Sequence, residues 1–156
     1  MDKLVITFLF LVVFVGGFIL LFSDNQGFLP YQTDDAYLPT IYINGTQFKI
    51  EVARSPESRK AGLSTRDSME FGRGMLFPFA TNDAHAIWMR NMKFPIDIIW
   101  LDENLVVVDI KRDARPESYP EIFRPKSPAR YVLEINATLS EVYNIKIGDK
   151  ASISTL

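Results

Sequence analysis

Residues 41–52 read IYINGTQFKIEV, and this stretch sets the fold class. Apolar and polar residues alternate on both sides of Asn44-Gly45-Thr46, and a period of two belongs to a strand with one buried face. Asn and Gly tolerate the positive φ that a tight turn between twisted strands requires, so Ile41–Ile43 and Gln47–Val52 are expected to pair as a hairpin. Further along, Ser55-Pro56-Glu57 has the order of an N-cap, a first-turn proline and an acidic first turn, and Gly62 stands where such a helix would stop. A short helix is therefore expected over Pro56–Ala61. Strands follow at Gly74–Phe79, Ala84–Asn91, Ile96–Leu101 and Leu105–Lys111, with Asp102-Glu103-Asn104 turning the last pair into a second hairpin. The segment Asp113–Pro128 carries Pro116, Pro120, Pro125 and Pro128 and so cannot be a central strand. It is longer than most connections and is a candidate functional loop. Arg130–Ile135 reads as a strand, Leu139–Asn144 as a short helix capped by Thr138 or Ser140, and Ala151–Ser154 as a last strand after the Gly148-Asp149 turn. Many short strands and frequent turns predict a mainly β domain, a compact β-sandwich or barrel with two short helices.

Before this domain lies Leu4–Phe22, LVITFLFLVVFVGGFILLF, without a charge. About nineteen residues make roughly 28 Å of helix, close to the hydrocarbon thickness of a bilayer. A cleaved signal would have a shorter apolar core and a small-x-small site, whereas Leu21, Phe22 and Ser23 precede Asp24 here. Residues 1–23 are therefore expected to be one retained transmembrane helix, residues 24–39 a linker, and residues 40–156 the β-rich domain. Lys3 lies before the apolar run, and no Lys or Arg follows it until Lys49. The positive-inside rule then places the chain in the cell membrane as a single-pass protein with its domain on the extracytoplasmic side. Cleavage would make it secreted instead. Phe28, Tyr31 and Tyr37 could rest along the headgroup region.

Composition narrows the chemistry. The chain has no Cys, which excludes a thiol enzyme, a Cys-based zinc module and a lipoprotein. It has one His, His85, so a His-based zinc site is not expected. The acidic pairs Asp34-Asp35 and Asp102-Glu103 fall in linker and turn and read as solvated surface. No metal and no cofactor are expected. A net charge of −2, with no basic stripe, gives no reason to expect nucleic acid. No G-x-S-x-G or P-loop occurs.

What stands out are carboxylates inside apolar strands. Alternation puts Asp97 on one face with Ile99 and Leu101, and Glu134 on one face with Val132. If those faces are buried, each carboxylate needs a partner. Arg66, Arg90, Arg130 and the Asn91 amide are candidates. Such a network could fix strand register, or line a polar cleft for a small ligand or peptide. In Trp88-Met89-Arg90-Asn91-Met92 the alternation sets Trp88 and Arg90 against Met89 and Asn91. The run could be core packing, or an aromatic and amide lining to a groove.

Taken in order, the runs KAGLSTR (60–66), GMLF (74–77), WMRN (88–91), PIDI (95–98), YVLE (131–134) and Gly148-Asp149 resemble domain-of-unknown-function family 192. The likeness spans about Ile41 to Ile153. The family usually has Met where Ser64 stands and often Thr where Met92 stands, which weakens any role for those two positions. The resemblance implies a small β-rich, sandwich-like domain, often behind an N-terminal signal or anchor, and supplies no established activity. It carries over Arg66, Arg90, Asn91, Asp97 and Glu134 as the polar motif positions. The leading expectation is a membrane-tethered extracytoplasmic domain that binds a small-molecule or protein ligand of the envelope without turnover, through Asn91 or through Tyr119, Phe123 and Arg124 of the long loop. The alternative is a carboxylate-dependent hydrolase of envelope material, using Asp97 and Glu134 as its pair.

Overall fold

The computed structural model describes residues 38–154. The expected transmembrane helix (1–23), nearly all of the linker, its three aromatics and the Asp34-Asp35 pair lie outside the described residues. Among the described residues, no helix is long and apolar enough to cross a membrane.

The N-terminal hairpin forms as its sequence dictates. Strands β1 (Thr40–Ile43) and β2 (Thr46–Val52) pair antiparallel around Asn44 and Gly45, whose φ values are 47° and 76°. Helix α1 (Pro56–Ala61) starts from Ser55 with a full capping box closed by Ser58, and ends at Gly62. Strand β3 (Arg73–Asp83) then runs parallel to β2. β4 (Ile87–Trp88), β5 (Ile96–Leu101), β6 (Val107–Ala114), β7 (Ile122–Phe123), β8 (Ala129–Asn136), α2 (Leu139–Val142) and β9 (Ala151–Ser154) complete the chain.

Seven strands form one sheet in the order β6-β5-β8-β3-β2-β1-β9. Its two edges meet through a Val106–Lys150 bridge and backbone hydrogen bonds such as Ala151 N–H to Leu105 O at 2.8 Å, so the sheet curls into a barrel. The interior is filled by Ile41, Ile43, Phe48, Ile50, Leu76, Ile99, Leu101, Leu133 and Ile135. A second apolar layer covers the outer face of β3, β5 and β8, where Met75, Phe77, Ile98, Trp100 and Val132 pack with Leu63, Met89 and Phe123. This double burial explains why all six residues of β5 are buried and why the strand reads as a near-continuous apolar run.

Several expected elements differ from what forms. The strand expected over Ala84–Asn91 is reduced to Ile87–Trp88, because the chain turns on both sides of it. On one side His85 N–H bonds Asp83 O at 2.9 Å; on the other, Asn91 adopts a φ of 59°. The second hairpin forms, but Leu105, with a φ of 61°, belongs to the turn, so β6 starts at Val107 and runs on to Ala114. Neither Thr138 nor Ser140 caps α2 with its side chain; Thr138 is the N-cap by position, in a left-handed conformation, and supplies no side-chain hydrogen bond. The proline-rich segment is not a free loop either. It holds a turn of 3-10 helix (Pro116–Ser118) and β7, which pairs with β4 as a two-stranded ribbon over the outer layer. Asp109, buried in β6, fastens it by accepting from Lys126 N–H at 2.8 Å.

Candidate functional site: a pocket floored by Glu134

Strand register separates the two carboxylates singled out in the sequence. Asp97 pairs across β5–β8 with Ile135, whereas Glu134 pairs with Ile98. Directly opposed residues share a face, so Asp97 lies on the barrel face with Ile135 and Glu134 on the outer face with Ile98.

Asp97 is fully buried and its partners are backbone groups, not arginines. One oxygen accepts from Asp113 N–H at 2.9 Å and Thr138 N–H at 3.2 Å, and the other from Ser140 N–H at 2.9 Å. Thr138 and Ser140 open α2, so a carboxylate from a distant strand does the capping that α2's own residues do not. A negative charge is favourable against the exposed N–H groups of a helix start. The role of Asp97 is to tie β5, the end of β6 and α2 together.

Glu134 has the opposite environment. It is 5% exposed, and among the described residues no hydrogen bond or ion pair reaches its carboxyl. Burial without a compensating partner pushes it up to about 8, so it is a neutral acid at pH 7. It lines a pocket of about 240 Å³. The walls come from four places in the chain. α1 and the turn after it give Arg59, Lys60, Gly62, Leu63 and Ser64; β3 gives Phe77 and Phe79; β4 and the turn beyond it give Ile87, Trp88, Arg90 and Met92; β8 gives Glu134.

Phe79 reaches the pocket from within β3, two residues beyond Phe77 and on the same outer face. Pro78 has no N–H for the ladder, and between Pro78 and Asp83 the pairing with β8 shifts. Phe79 stacks on His85, with ring centroids 3.7 Å apart. His85 is held in turn by Thr81 O at 2.9 Å from its Nε2, and its own carbonyl accepts from Trp100 Nε1 at 2.9 Å. This use of the lone His is architectural. The Arg59 guanidinium lies 5.8 Å above the Phe79 ring, and the Arg90 guanidinium 5.9 Å above Trp88. Trp88, half exposed, meets the exposed Tyr119 edge to face at 6.3 Å.

Of the five polar motif positions, the structure brings Arg90 and Glu134 to this pocket and sets the other three elsewhere. Arg66 forms a bidentate pair with Glu51, both bonds 2.6 Å, and fastens the segment after α1 to β2; this partner holds the Glu51 carboxyl below its ordinary range. Asn91 is exposed in a left-handed turn. Asp97 is on the other face of the sheet. Within the long segment, Phe123 is buried beneath Lys111, whose Nζ stands 4.7 Å from the ring, and does not offer a contact surface. Arg59 and Lys60 are pocket residues that strand alternation does not single out, because they lie on a one-and-a-half-turn helix with no buried residue. Phe79 shares a face with Phe77, and that spacing was the available signal. Among the described residues, no group of three or more His, Cys, Asp or Glu could hold a metal ion.

The sequence matches the model of DUF192, described as an uncharacterized ACR, over residues 40–153. It is 34% identical to a UPF0127 protein of Pyrococcus abyssi over 104 residues, which is 65% of this chain and 83% of the relative. Against a UPF0127 protein of Thermococcus sibiricus the identity is 30% over 65% of this chain, and the match spans just under two thirds, 64%, of that relative's length. Among solved structures, a protein of unknown function from Novosphingobium aromaticivorans superposes with a TM-score of 0.69 at 31% identity, over 72% of this chain and 83% of that one. A proposed transcription regulator of Sinorhizobium meliloti gives 0.70 at 28% identity, over 77% and 97%. The matched region holds the barrel, the outer layer and every pocket residue, and on that basis the chain belongs to the DUF192 family, whose relatives carry the name UPF0127.

Proposed function

We propose that this chain is a membrane-tethered, extracytoplasmic binding domain that holds a small ligand in the pocket over Glu134 and does not turn it over. One observation carries the reading: Glu134, a residue 5% exposed, lines the pocket with no hydrogen bond or ion pair to its carboxyl among the described residues. A ligand group bonded to that carboxyl would offset the desolvation its burial imposes. The apolar walls of Leu63, Phe77, Phe79 and Trp88 supply area for a ligand body, with few polar groups to orient it. Support for the tether is the uncharged run Leu4–Phe22 behind Lys3.

A two-carboxylate hydrolase finds no such support. Asp97 is saturated by backbone N–H groups on the far face of the sheet, so it does not share a cleft with Glu134. The regulator label of the Sinorhizobium meliloti relative would call for a basic surface, and this chain has a net charge of −2.

The binding reading is tested with a small-molecule library against the full chain in lipid nanodiscs, read by protein-observed NMR. Saturable shifts at Trp88 and Glu134 without conversion of the ligand are expected, and Trp88→Ala should weaken them. Turnover, or saturation at a surface away from the pocket, would count against it. Protease added to intact cells should remove the domain if it lies outside.

A further inference from the structure

The charges around the pocket are distributed in a way that specifies what it takes. Arg59, Lys60 and Arg90 line it, and none of them is within ion-pairing distance of a carboxylate among the described residues. The one acid in the lining is Glu134, which the two guanidinium groups leave alone: each lies over an aromatic ring instead. Arg59 is further oriented by donating from Nη1 to Arg54 O at 2.6 Å. A guanidinium laid on a ring keeps its N–H edge free for a planar acceptor. Directly opposite Glu134, β3 presents Met75 and β5 presents Ile98; the charged groups farther out on that face, Glu51 of β2 and Arg73 of β3, are ion-paired with Arg66 and Glu70. The pocket therefore joins to one buried acid three cations without an ion pair among the described residues, of which Lys60 and Arg90 are exposed and Arg59 also feels the Glu57 carboxylate of its own helix.

We propose that the pocket takes a small molecule through an oxyanionic group, a carboxylate or a phosphate, with Arg59 and Arg90 supplying charge-assisted hydrogen bonds and Glu134 at the floor donating its O–H. This rests on reading the pocket as a binding site. A neutral ligand would leave the cations unused, and a cationic one would meet three like charges. An anion meets complementary charge at the wall and a proton donor below it. Because Glu134 ionises at about 8 in the folded chain, the same arrangement releases anions in alkali, when the floor becomes negative.

Four probes with one aromatic body separate the possibilities: benzoate, phenyl phosphate, benzyl alcohol and benzylamine. Each is titrated at millimolar concentration into the full chain in nanodiscs, with NMR shifts at pocket residues as the readout. The expected result is that benzoate or phenyl phosphate binds at least about tenfold more tightly than benzyl alcohol, the preference of one over the other telling carboxylate from phosphate. Arg59→Ala and Arg90→Ala should each weaken the anion and leave benzyl alcohol unchanged, which also shows that the variants are folded. Anion affinity of the parent chain should fall as pH rises past about 8, whereas Glu134→Gln should hold it. Equal or tighter binding of benzyl alcohol or benzylamine would overturn the oxyanion inference and leave the pocket standing as a site. No shift at the pocket with any probe would remove both.

Discussion

Asp97→Asn keeps the size of the side chain but turns one of its two acceptor oxygens into an NH₂ that faces backbone donors. Asp97 now receives Asp113, Thr138 and Ser140 N–H; in the variant at least one of these is unpaired in the interior. A loss of about 1–3 kcal/mol is expected, measured as a lower midpoint in urea unfolding with unchanged slope. Wild-type stability would contradict the capping role. The strand alternation of residues 96–101 and 131–135 was enough to say which neighbours share a face with Asp97 and Glu134, because a period of two is a local property; their burial comes from layers packed on both sides of the sheet. The partners were not legible. Asp97 is completed by backbone sixteen to forty-three residues away, and the arginines expected beside it lie elsewhere, Arg66 paired with Glu51 and Arg90 over the Trp88 ring. Sequence identifies a residue's need for a partner more readily than it identifies the partner.

Elements were legible where their signals were complete within them. Asn44-Gly45 forces a turn, Ser55-Pro56 starts a helix, and Ile96–Leu101 has only one way to bury six apolar-flanked residues. They were illegible where a neighbour decides. β4 is two residues long because it exists only to pair with β7, and the N-terminus of α2 is written in β5. Gly74 shows the same dependence on neighbours. It opens β3 against β8, and a Cβ there would stand 2.9 Å from Glu134 O and 3.2 Å from the Ile135 side chain. Backbone of a central strand cannot give way cheaply, so Gly74→Ala is expected to cost about 1–3 kcal/mol and to lower the thermal midpoint. Because Gly74 pairs with Ile135, beside Glu134, the variant should also disturb pocket resonances. A variant as stable as the parent would mean that β3 and β8 are less closely packed than described.

At the scale of the whole molecule, the closure of the barrel and the pocket on its flank were the least legible features. Closure depends on a bridge between Val106 and Lys150, and the pocket is assembled from α1, the outer face of β3, the turn after β4 and one face of β8. Fold class, family and the region of the domain came from local pattern; the site came from long-range geometry. The pocket also gives the folded chain a distinctive response to pH. Glu134 keeps its proton up to about 8 when folded, whereas an ordinary carboxyl, at 4.5, has already lost it. Between those values the folded state binds more protons than the unfolded one, so Glu134 lowers stability progressively as pH rises, on the order of a few kcal/mol in all, and no further above the upper value. Glu134→Gln should abolish this decline. The most direct measurement is the carbon-13 shift of the Glu134 carboxyl, assigned by its loss in Glu134→Gln and followed across pH in the full chain. A midpoint near 8, moving higher when an oxyanion is bound, is the predicted result; a midpoint in the ordinary carboxylate range would contradict the account of an unpaired, neutral acid at the floor of a binding pocket.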